Sequence, residues 1–443
     1  MVVETTVCIA GGGPAGVVAG YLLARKGVRV TVLEKHQDFF RDFRGDTVHP
    51  STLEIFYELG LLEEFLKLPH QQLTSVGGIV GDFPFEAADF THLPTHCKFV
   101  ALMPQWDFLN FLAREARKFP GFDLRMEHEA IGLTHDAERV TGVNVRTSAG
   151  ECFDIEARLV LGCDGRHSTI RRAAELDLKE YGVPIDVLWF RISRMPSDPE
   201  QLLGNINYGR ALILINRGDY FQAGLIVPKG SHESIKQAGL DVFQEDLRRI
   251  APFLGGRVEE IRDWERVSVL TVRINRLLRW WRPGLLCIGD AAHAMSPAGG
   301  VGINLAIQDA VATVNLLGDA LLGGQPVDEL VPQVQDRREF PTRATQYLQV
   351  NAHRVFAKIF RDDGPMEAPW QLKIITQVPG IQRVLGRIVG IGFRPEHIHA
   401  ARSPRSGAQG RGGLLRRLAI HTGSMAGEIH SMLGRYNLGW RVR

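Results

Sequence analysis

"CIAGGGPAGVVAGYLLARKG", residues 8–27, decides how this chain is read. Thr5 to Ala24 carries no charge, so a secretory leader, a membrane anchor and a ligand-binding turn compete for it. A leader needs a basic start, and Met1-Val2-Val3-Glu4 has none. A spanning helix would have to absorb Gly11, Gly12, Gly13, Pro14, Gly16 and Gly20, all of which weaken a helix interior. The third reading uses every part. Val7–Ala10 is an apolar run suited to a buried parallel strand, and Gly11-x-Gly13-x-x-Gly16 follows it at once. Val17–Arg25 is helix-compatible and stops before Gly27, and Val28–Leu33 reads as a second strand closed by Glu34. Strand, glycine turn, helix, strand and acid together make a dinucleotide-binding unit. Gly11 allows the tight turn, Gly13 lets backbone approach a pyrophosphate, and Gly16 lets helix and strand close. Free N–H groups and the positive dipole end face the phosphates, with Pro14 and Ala15 in the same turn. Glu34 accepts from a ribose diol, and Lys35 follows it.

Two distant stretches repeat the strand-then-turn pattern. In "LVLGCDGRHSTIRR" (159–172) an apolar strand runs into Cys163-Asp164-Gly165, with Ser168, Arg171 and Arg172 on a short helix beyond. In "GLLCIGDAAHAMSPAGGVGINLAIQDAVATVNLL" (284–317) a strand ends at Gly289-Asp290, and a Pro297–Gly302 loop leads into an apolar helix. Taken singly, Asp164 and Asp290 read equally well as ordinary turn residues. His293 reads as a packed or loop histidine, and Arg171-Arg172 as a solvated helix face.

Composition bounds the answer. The chain has 443 residues, enough for two or three folding units, and at 44% hydrophobic and 23% charged it reads as globular. A net charge of +2 gives no reason to invoke nucleic acid or an anionic membrane. Five scattered cysteines without a CxxC point to reduced thiols and a cytoplasmic setting. No metal-ligand spacing and no Ser/His/Asp or Cys/His arrangement is evident.

The three motifs, in this order, resemble those of the group A flavoprotein aromatic monooxygenases of the para-hydroxybenzoate hydroxylase type. The likeness covers residues 1 to about 360. It implies FAD as cofactor, NADH or NADPH as transient co-substrate, and O2. Reduced flavin in that family forms a C4a-hydroperoxide that hydroxylates an aromatic or polyketide-like small molecule. The resemblance places Asp290 on the ribityl chain and Asp164-Gly165 near the ribityl and pyrophosphate region and the path of NAD(P)H. Arg44, in "FRGDTVHPSTLEIFYELGLL", matches an arginine that reaches the FAD phosphates, and Gln105, in "MPQWDFLNFL", matches a residue beside the adenosine half. Pro297, Gly300, Gly302, Ile303 and Asn304 fall on the loop and helix start at the flavin ring. Val301 departs from the glutamine often found there, which removes a side-chain amide and keeps the backbone contacts.

The resemblance further implies an α/β architecture. A Rossmann-type FAD-binding domain (1–75, 100–180 and 276–330) carries an inserted, mostly β substrate domain (76–99 and 181–275). A helical C-terminal region (331–400) follows, then a Ser/Gly/Arg-rich linker with a terminal helix (401–443). "DVLWFRI", "RALILIN" and "DYFQAGLIV" read as strands of the inserted domain, and residues 84–104 as an irregular loop added to it. Trp189, Arg191, Asn207, Tyr220, Gln222 and His49 are candidate pocket residues, with ordinary sheet packing the alternative for each. A monomer or homodimer is expected, with no membrane span. Three competing functions share the fold: a flavin halogenase, a geranylgeranyl-type reductase and a non-catalytic flavin redox sensor. The halogenase reading lacks its GWxWxIP segment, for which "LLRWWRPG" is no match.

Overall fold

The computed structural model describes residues 3–40, 47–199, 204–360, 364–378 and 380–399, within one compact unit, Met1–His399. Arg44 and the expected linker and helix over 401–443 lie outside the described residues. The apolar run before the glycine turn forms β1 (Val3–Ala10), and α1 (Pro14–Arg25) starts directly after the turn. The chain then makes β2 (Val30–Glu34), α2 (Pro50–Glu58), α3 (Gln105–Ala116) and β3 (Phe122–Met126). Next come β4 (Cys152–Gly162), α4 (Thr169–Ala173), β5 (Ile185–Ser193), β6 (Arg210–Asn216) and β7 (Tyr220–Pro228). The last elements needed are α5 (Leu240–Ile250), β8 (Leu285–Cys287), α6 (Gly302–Leu322), α7 (Val331–Ile359) and α8 (Ile381–Gly390).

The main sheet has a parallel core, β8-β4-β1-β2-β3, with the two-residue strand Trp281–Arg282 antiparallel on its β8 edge. Its central strands are apolar on both faces because helices cover both, as a parallel sheet requires. Register aligns the strand ends: Ala10 lies opposite Gly162, and Gly162 opposite Cys287. The turns after β1, β4 and β8 therefore leave one rim of the sheet side by side. These are the three stretches singled out from the sequence, and the carboxyl ends of such strands are where open α/β sheets bind ligands. A hairpin, His128–Asp136 with Arg139–Thr147, extends the first half of β4.

A second sheet has the order 268–270, β5, β7, β6, 204–207, 75–80, 83–89. The stretch around 84 is thus a regular strand, Phe83–Asp89, hairpinned to Ser75–Val80, where an irregular loop was expected. Its alternation, with Phe85 and Ala88 more enclosed than Glu86, is short and broken by a register shift, which hides it in the sequence. One face of this sheet packs Leu188, Phe190, Ile192 and Phe221 under Phe243 and Leu247 of α5. The other face turns Val187, Trp189 and Ile226 toward Phe90, Val100 and Leu102, with Leu385 and Val389 of α8 against them.

Residues 298–322 are long and apolar enough to cross a membrane, but 78% of their apolar window is buried. The helix carries Asp309 fully enclosed in a network of partners, so its apolarity is that of a core element packed on α1.

Candidate functional site

The first turn is built around missing side chains. Gly11 holds φ +106°, and a Cβ there would overlap the Cys163 carbonyl and come within 2.8 Å of Asp164 Cα. The first and second motifs are therefore in van der Waals contact only because residue 11 is glycine. Gly16 does the same for helix and strand, since its Cβ would strike the Gly11 carbonyl and reach Ile9 Cγ2 at 3.2 Å. Gly13 is different: its φ is −74° and nothing lies within 4 Å of where a Cβ would stand. It caps α1 without a side chain, so the amides of Ala15 and Gly16 behind Pro14 face the rim uncapped. Glu34 braces the turn, accepting from the Gly12 N–H at 3.1 Å and the His36 N–H at 3.1 Å. Lys35 is exposed beside it. Gln105 opens α3, where Trp106 packs against Phe40 of the loop after β2 at 4.9 Å between ring centroids.

In the second motif Asp164 turns inward. Its carboxylate accepts from Ser168 Oγ at 2.5 Å, Thr169 N at 2.7 Å and Ile170 N at 3.1 Å, capping α4. Burial outweighs these bonds and raises its carboxyl above the ordinary value. Gly165, at φ +80° with open space where a Cβ would stand, is left to face the rim. Arg171 is not on a solvated face as expected. It is 7% exposed and donates to the Ala291 carbonyl and to the Arg166 carbonyl, both at 2.9 Å. It staples the second motif to the third. The sequence carries no signal for this, since two adjacent helical arginines, about 100° apart, can both face solvent.

In the third motif Asp290 is partly exposed on the rim, with Arg166 Nη2 at 3.5 Å. Behind it, Asp309 Oδ2 accepts from the Gly289 N–H at 3.1 Å and His293 Nε2 at 2.5 Å, while Oδ1 takes Arg338 Nε at 3.0 Å. Burial alone would raise this carboxyl; His293 and Arg338 outweigh it and hold it below its ordinary value. Arg338 continues to the buried Glu396, which Arg337 grips through Nε at 2.7 Å. Sequence reasoning missed this network, whose members come from four separate segments: the 289–293 turn, α6, α7 and the stretch at Glu396. The Pro297–Gly302 loop has Gly300 at φ +64° with its carbonyl taken by Thr47 Oγ1 at 2.9 Å. α6 then begins at Gly302 and Ile303 with no side-chain cap, a second uncapped helix start on the same rim. Asn304 is enclosed there, its Oδ1 accepting from Thr52 Oγ1 at 2.6 Å and the His49 N–H at 3.1 Å.

The sheet-face candidates divide. Trp189 is buried, its ring lying over Gly224 of β7. Arg191 stacks on Tyr220 at 5.0 Å, and Gln222 accepts from Arg217 Nη2 at 3.2 Å. These four belong to neighbouring β5 and β7, with Arg191 directly opposite Gln222. Asn207 stands apart at a hairpin end, where it accepts from the Met366 N–H at 2.9 Å.

Three glycine-bearing turns on one parallel rim, with two uncapped helix starts, form a cradle for one long anionic cofactor. A family profile described as FAD binding domain matches residues 4–347. The chain belongs to this FAD-binding family. The flavoprotein is 28% identical to 6-methylpretetramide 4-monooxygenase of Streptomyces rimosus over 397 residues, which is 87% of this chain and 92% of that protein. It is 30% identical to rifampicin monooxygenase of Streptomyces venezuelae over 69% of this chain and 62% of that one. Among solved structures, anhydrotetracycline hydroxylase OxyS of Streptomyces rimosus superposes with a TM-score of 0.69 at 24% identity, covering 87% of this chain and 76% of that one. The p-nitrophenol 4-monooxygenase of Pseudomonas putida gives 0.71 at 18%, covering 88% and 97%. The residues present fit FAD: Gly13 and Gly165 leave open space at the rim, and the free amides of α1 and α6 favour the pyrophosphate and an electron-rich ring edge.

Proposed function

We infer that the chain is an FAD-dependent monooxygenase that uses NAD(P)H and O2 to hydroxylate an aromatic or polyketide-like small molecule. The observation that carries this reading is the convergence of the three motifs on one rim of the parallel sheet. FAD, when bound, accepts a hydride from the nicotinamide and activates O2 for transfer to the substrate. The protein's part is to bind, orient and keep water out. Ala15 and Gly16 amides take the phosphates, Glu34 the adenosine ribose and Asp290 the ribityl chain, with Lys35 and Gln105 toward the adenosine half; Arg44, outside the described residues, is read as a phosphate contact. The start of α6, from Gly302 to Asn304, favours negative charge at the ring edge by about 0.3–2 kcal/mol, more where water is excluded. Trp189, Arg191, Tyr220 and Gln222 supply one wall of the substrate space.

We assign the nicotinamide dinucleotide to the open groove of about 520 Å³ lined by Arg166, His167, Arg172 and Arg273 together with Glu175 and Asp177, where Arg166 also reaches Asp290. Its basic residues suit phosphates, and transient binding there needs no second glycine fingerprint. Five free cysteines accord with a reducing, cytoplasmic setting. The division into a discontinuous FAD domain, an inserted β domain and a helical tail accords with the two sheets.

The test is purification, an absorbance scan for flavin, and NAD(P)H oxidation with a phenol and quinone panel, with and without oxygen. A substrate-stimulated, oxygen-dependent rate with incorporation of one oxygen atom is expected. Oxygen-independent turnover would make the chain a reductase, and no turnover with any partner a flavin-binding sensor.

A further inference from the structure

α7 carries a polar stripe on its inner face. Gln335, Arg338, Thr342, Gln346, Gln349 and His353 recur every three or four residues, and each is less than a tenth exposed. A buried helix face is ordinarily apolar. Most of this stripe grips the third motif and the chain leading into it. Gln335 accepts from the Trp280 N–H and donates to the Leu278 carbonyl, both at 3.0 Å. Gln346 Nε2 donates to the Asn275 carbonyl at 2.8 Å, and Arg338 reaches Asp309 behind the Gly289 turn.

Gln349 makes the fullest grip. Its Oε1 accepts from the Ser296 N–H at 3.1 Å, and its Nε2 donates to the Ser296 carbonyl at 3.0 Å and the Ala298 carbonyl at 2.9 Å. One acceptor and two donors on a planar amide thus meet one donor and two acceptors of the loop backbone. A carboxylate would set acceptors against both carbonyls, and an aliphatic chain would leave buried backbone groups unpaired. Ser296 Oγ closes the same turn, accepting from the Ala298 N–H at 3.1 Å and pairing with His353 Nε2 at 2.7 Å.

These bonds hold one end of the loop that leads into α6. The other end is held where Thr47 Oγ1 donates to the Gly300 carbonyl. Gly299 and Gly300, at φ +77° and +64°, join the two ends, and glycine constrains a chain least. The direction in which the chain enters α6 therefore depends on both holds. Gln349 and His353 stand just past the span 4–347 that the family profile matches.

We propose that Gln349 is a positioning residue: its amide fixes Ser296–Ala298, and with it the aim of the uncapped start of α6, so that the free amides there favour the negative charge of a reduced flavin. The proposal rests on the flavoprotein reading. Gln349 touches no reacting atom and moves no proton. A fully paired buried amide specifies one arrangement of the loop where apolar packing would accept several. Without it the two glycines let the loop turn, the amides of α6 lose their aim, and the oxidised flavin is favoured.

Wild type, Gln349→Leu and Gln335→Leu are compared. The second variant loses an equivalent backbone-gripping amide on the same helix, away from the loop. Hydrogen exchange over residues 294–303 is followed in each apoprotein. The oxidised-to-reduced ratio of bound flavin is measured against a reference dye in each holoprotein. The loop of wild type should exchange slowly. Gln349→Leu should speed that exchange and raise the oxidised-to-reduced ratio about threefold at a fixed dye ratio. Gln335→Leu should lose similar thermal stability and leave both readings unchanged. Fast exchange across the loop in wild type would overturn the proposal whatever the variants do. So would an unchanged flavin ratio in Gln349→Leu, or the same shift in Gln335→Leu. If Gln349→Leu does not fold, Gln349→Met, which keeps the unbranched shape, takes its place; failure of both to fold would make Gln349 a residue of the fold and overturn its positioning role. A colourless wild type would instead defeat the flavoprotein reading, while exchange in the apoprotein would still judge the grip.

Discussion

Asp309 Oδ2 accepts the backbone N–H of Gly289, twenty residues upstream, at 3.1 Å. The turn that presents Asp290 to the rim is thus held by a carboxylate buried in α6, itself held by His293 and Arg338. Removing one member of a buried ion pair leaves the other charge without compensation, at about 3–5 kcal/mol. Asp309→Asn is expected to lower stability by that amount and weaken FAD retention together. Thermal denaturation of the apoprotein, followed by FAD titration, checks it. Normal FAD affinity in a destabilised variant would show that the network supports the fold without positioning the turn.

Gly13→Ala separates ligand space from folding space. A Cβ at residue 13 meets nothing within 4 Å and needs no unusual φ, so the apoprotein should be as stable as wild type. The same methyl would stand where the pyrophosphate approaches the backbone, so the protein should emerge folded and nearly colourless. Gly11→Ala, with its positive φ and its overlap on Cys163, should instead fail to fold well. Circular dichroism and flavin absorbance on the pair distinguish the two roles. A yellow Gly13→Ala protein would place the pyrophosphate elsewhere.

Asp290→Ala is the matching test on the third motif. The side chain is partly exposed and its ion pair with Arg166 is long at 3.5 Å, so stability should move by no more than about 0.5 kcal/mol. Flavin content should nevertheless fall sharply, because a ribityl hydroxyl loses its acceptor. Absorbance per protein at equal melting temperature decides it.

What could be read ahead of the structure was local. β1, α1, β2 and the strands 185–193, 210–216 and 220–228 each announce themselves within about ten residues, through an apolar run and its bounding glycines. The contacts that join the motifs were not legible. Arg171 reaches Ala291 across 120 residues, and His49 reaches Val389 across 340, and no spacing rule connects such pairs. Asp164 hides a second job in the same way: its carboxylate caps α4 through the Thr169 and Ile170 N–H groups, which the Asp-Gly turn signal does not announce.

Acid sensitivity comes from two buried imidazoles. His49 and His353 are both pulled from 6.5 to about 4 by burial. The unfolded chain therefore binds protons that the folded chain refuses, so stability is full above pH 6.5 and falls as pH drops toward 4. Each ring contributes up to about 1.4 kcal/mol per pH unit within that window. Asp309, held low, adds its own loss only below the ordinary carboxylate range. Denaturant midpoints between pH 7 and 4 should decline at a slope near two protons, and His353→Leu should roughly halve it. A flat profile would mean that the rings are already solvated.

Gly224→Ala tests the wall assigned to the substrate. A Cβ there would stand 2.9 Å from Trp189 Cζ3, on the flat of a ring that is itself enclosed. The indole must tilt away from β7 into the space between the sheets, since the strand backbone behind it cannot yield. Such overpacking costs about 1–3 kcal/mol. The cradle for FAD, on the other sheet, is untouched. Flavin content and the rate of reduction without substrate should match wild type, while KM for a polycyclic phenol rises several-fold more than for a single-ring phenol. If both substrates are affected alike, or neither is, Trp189 does not border the substrate and the opposite face of the cleft must do the selecting.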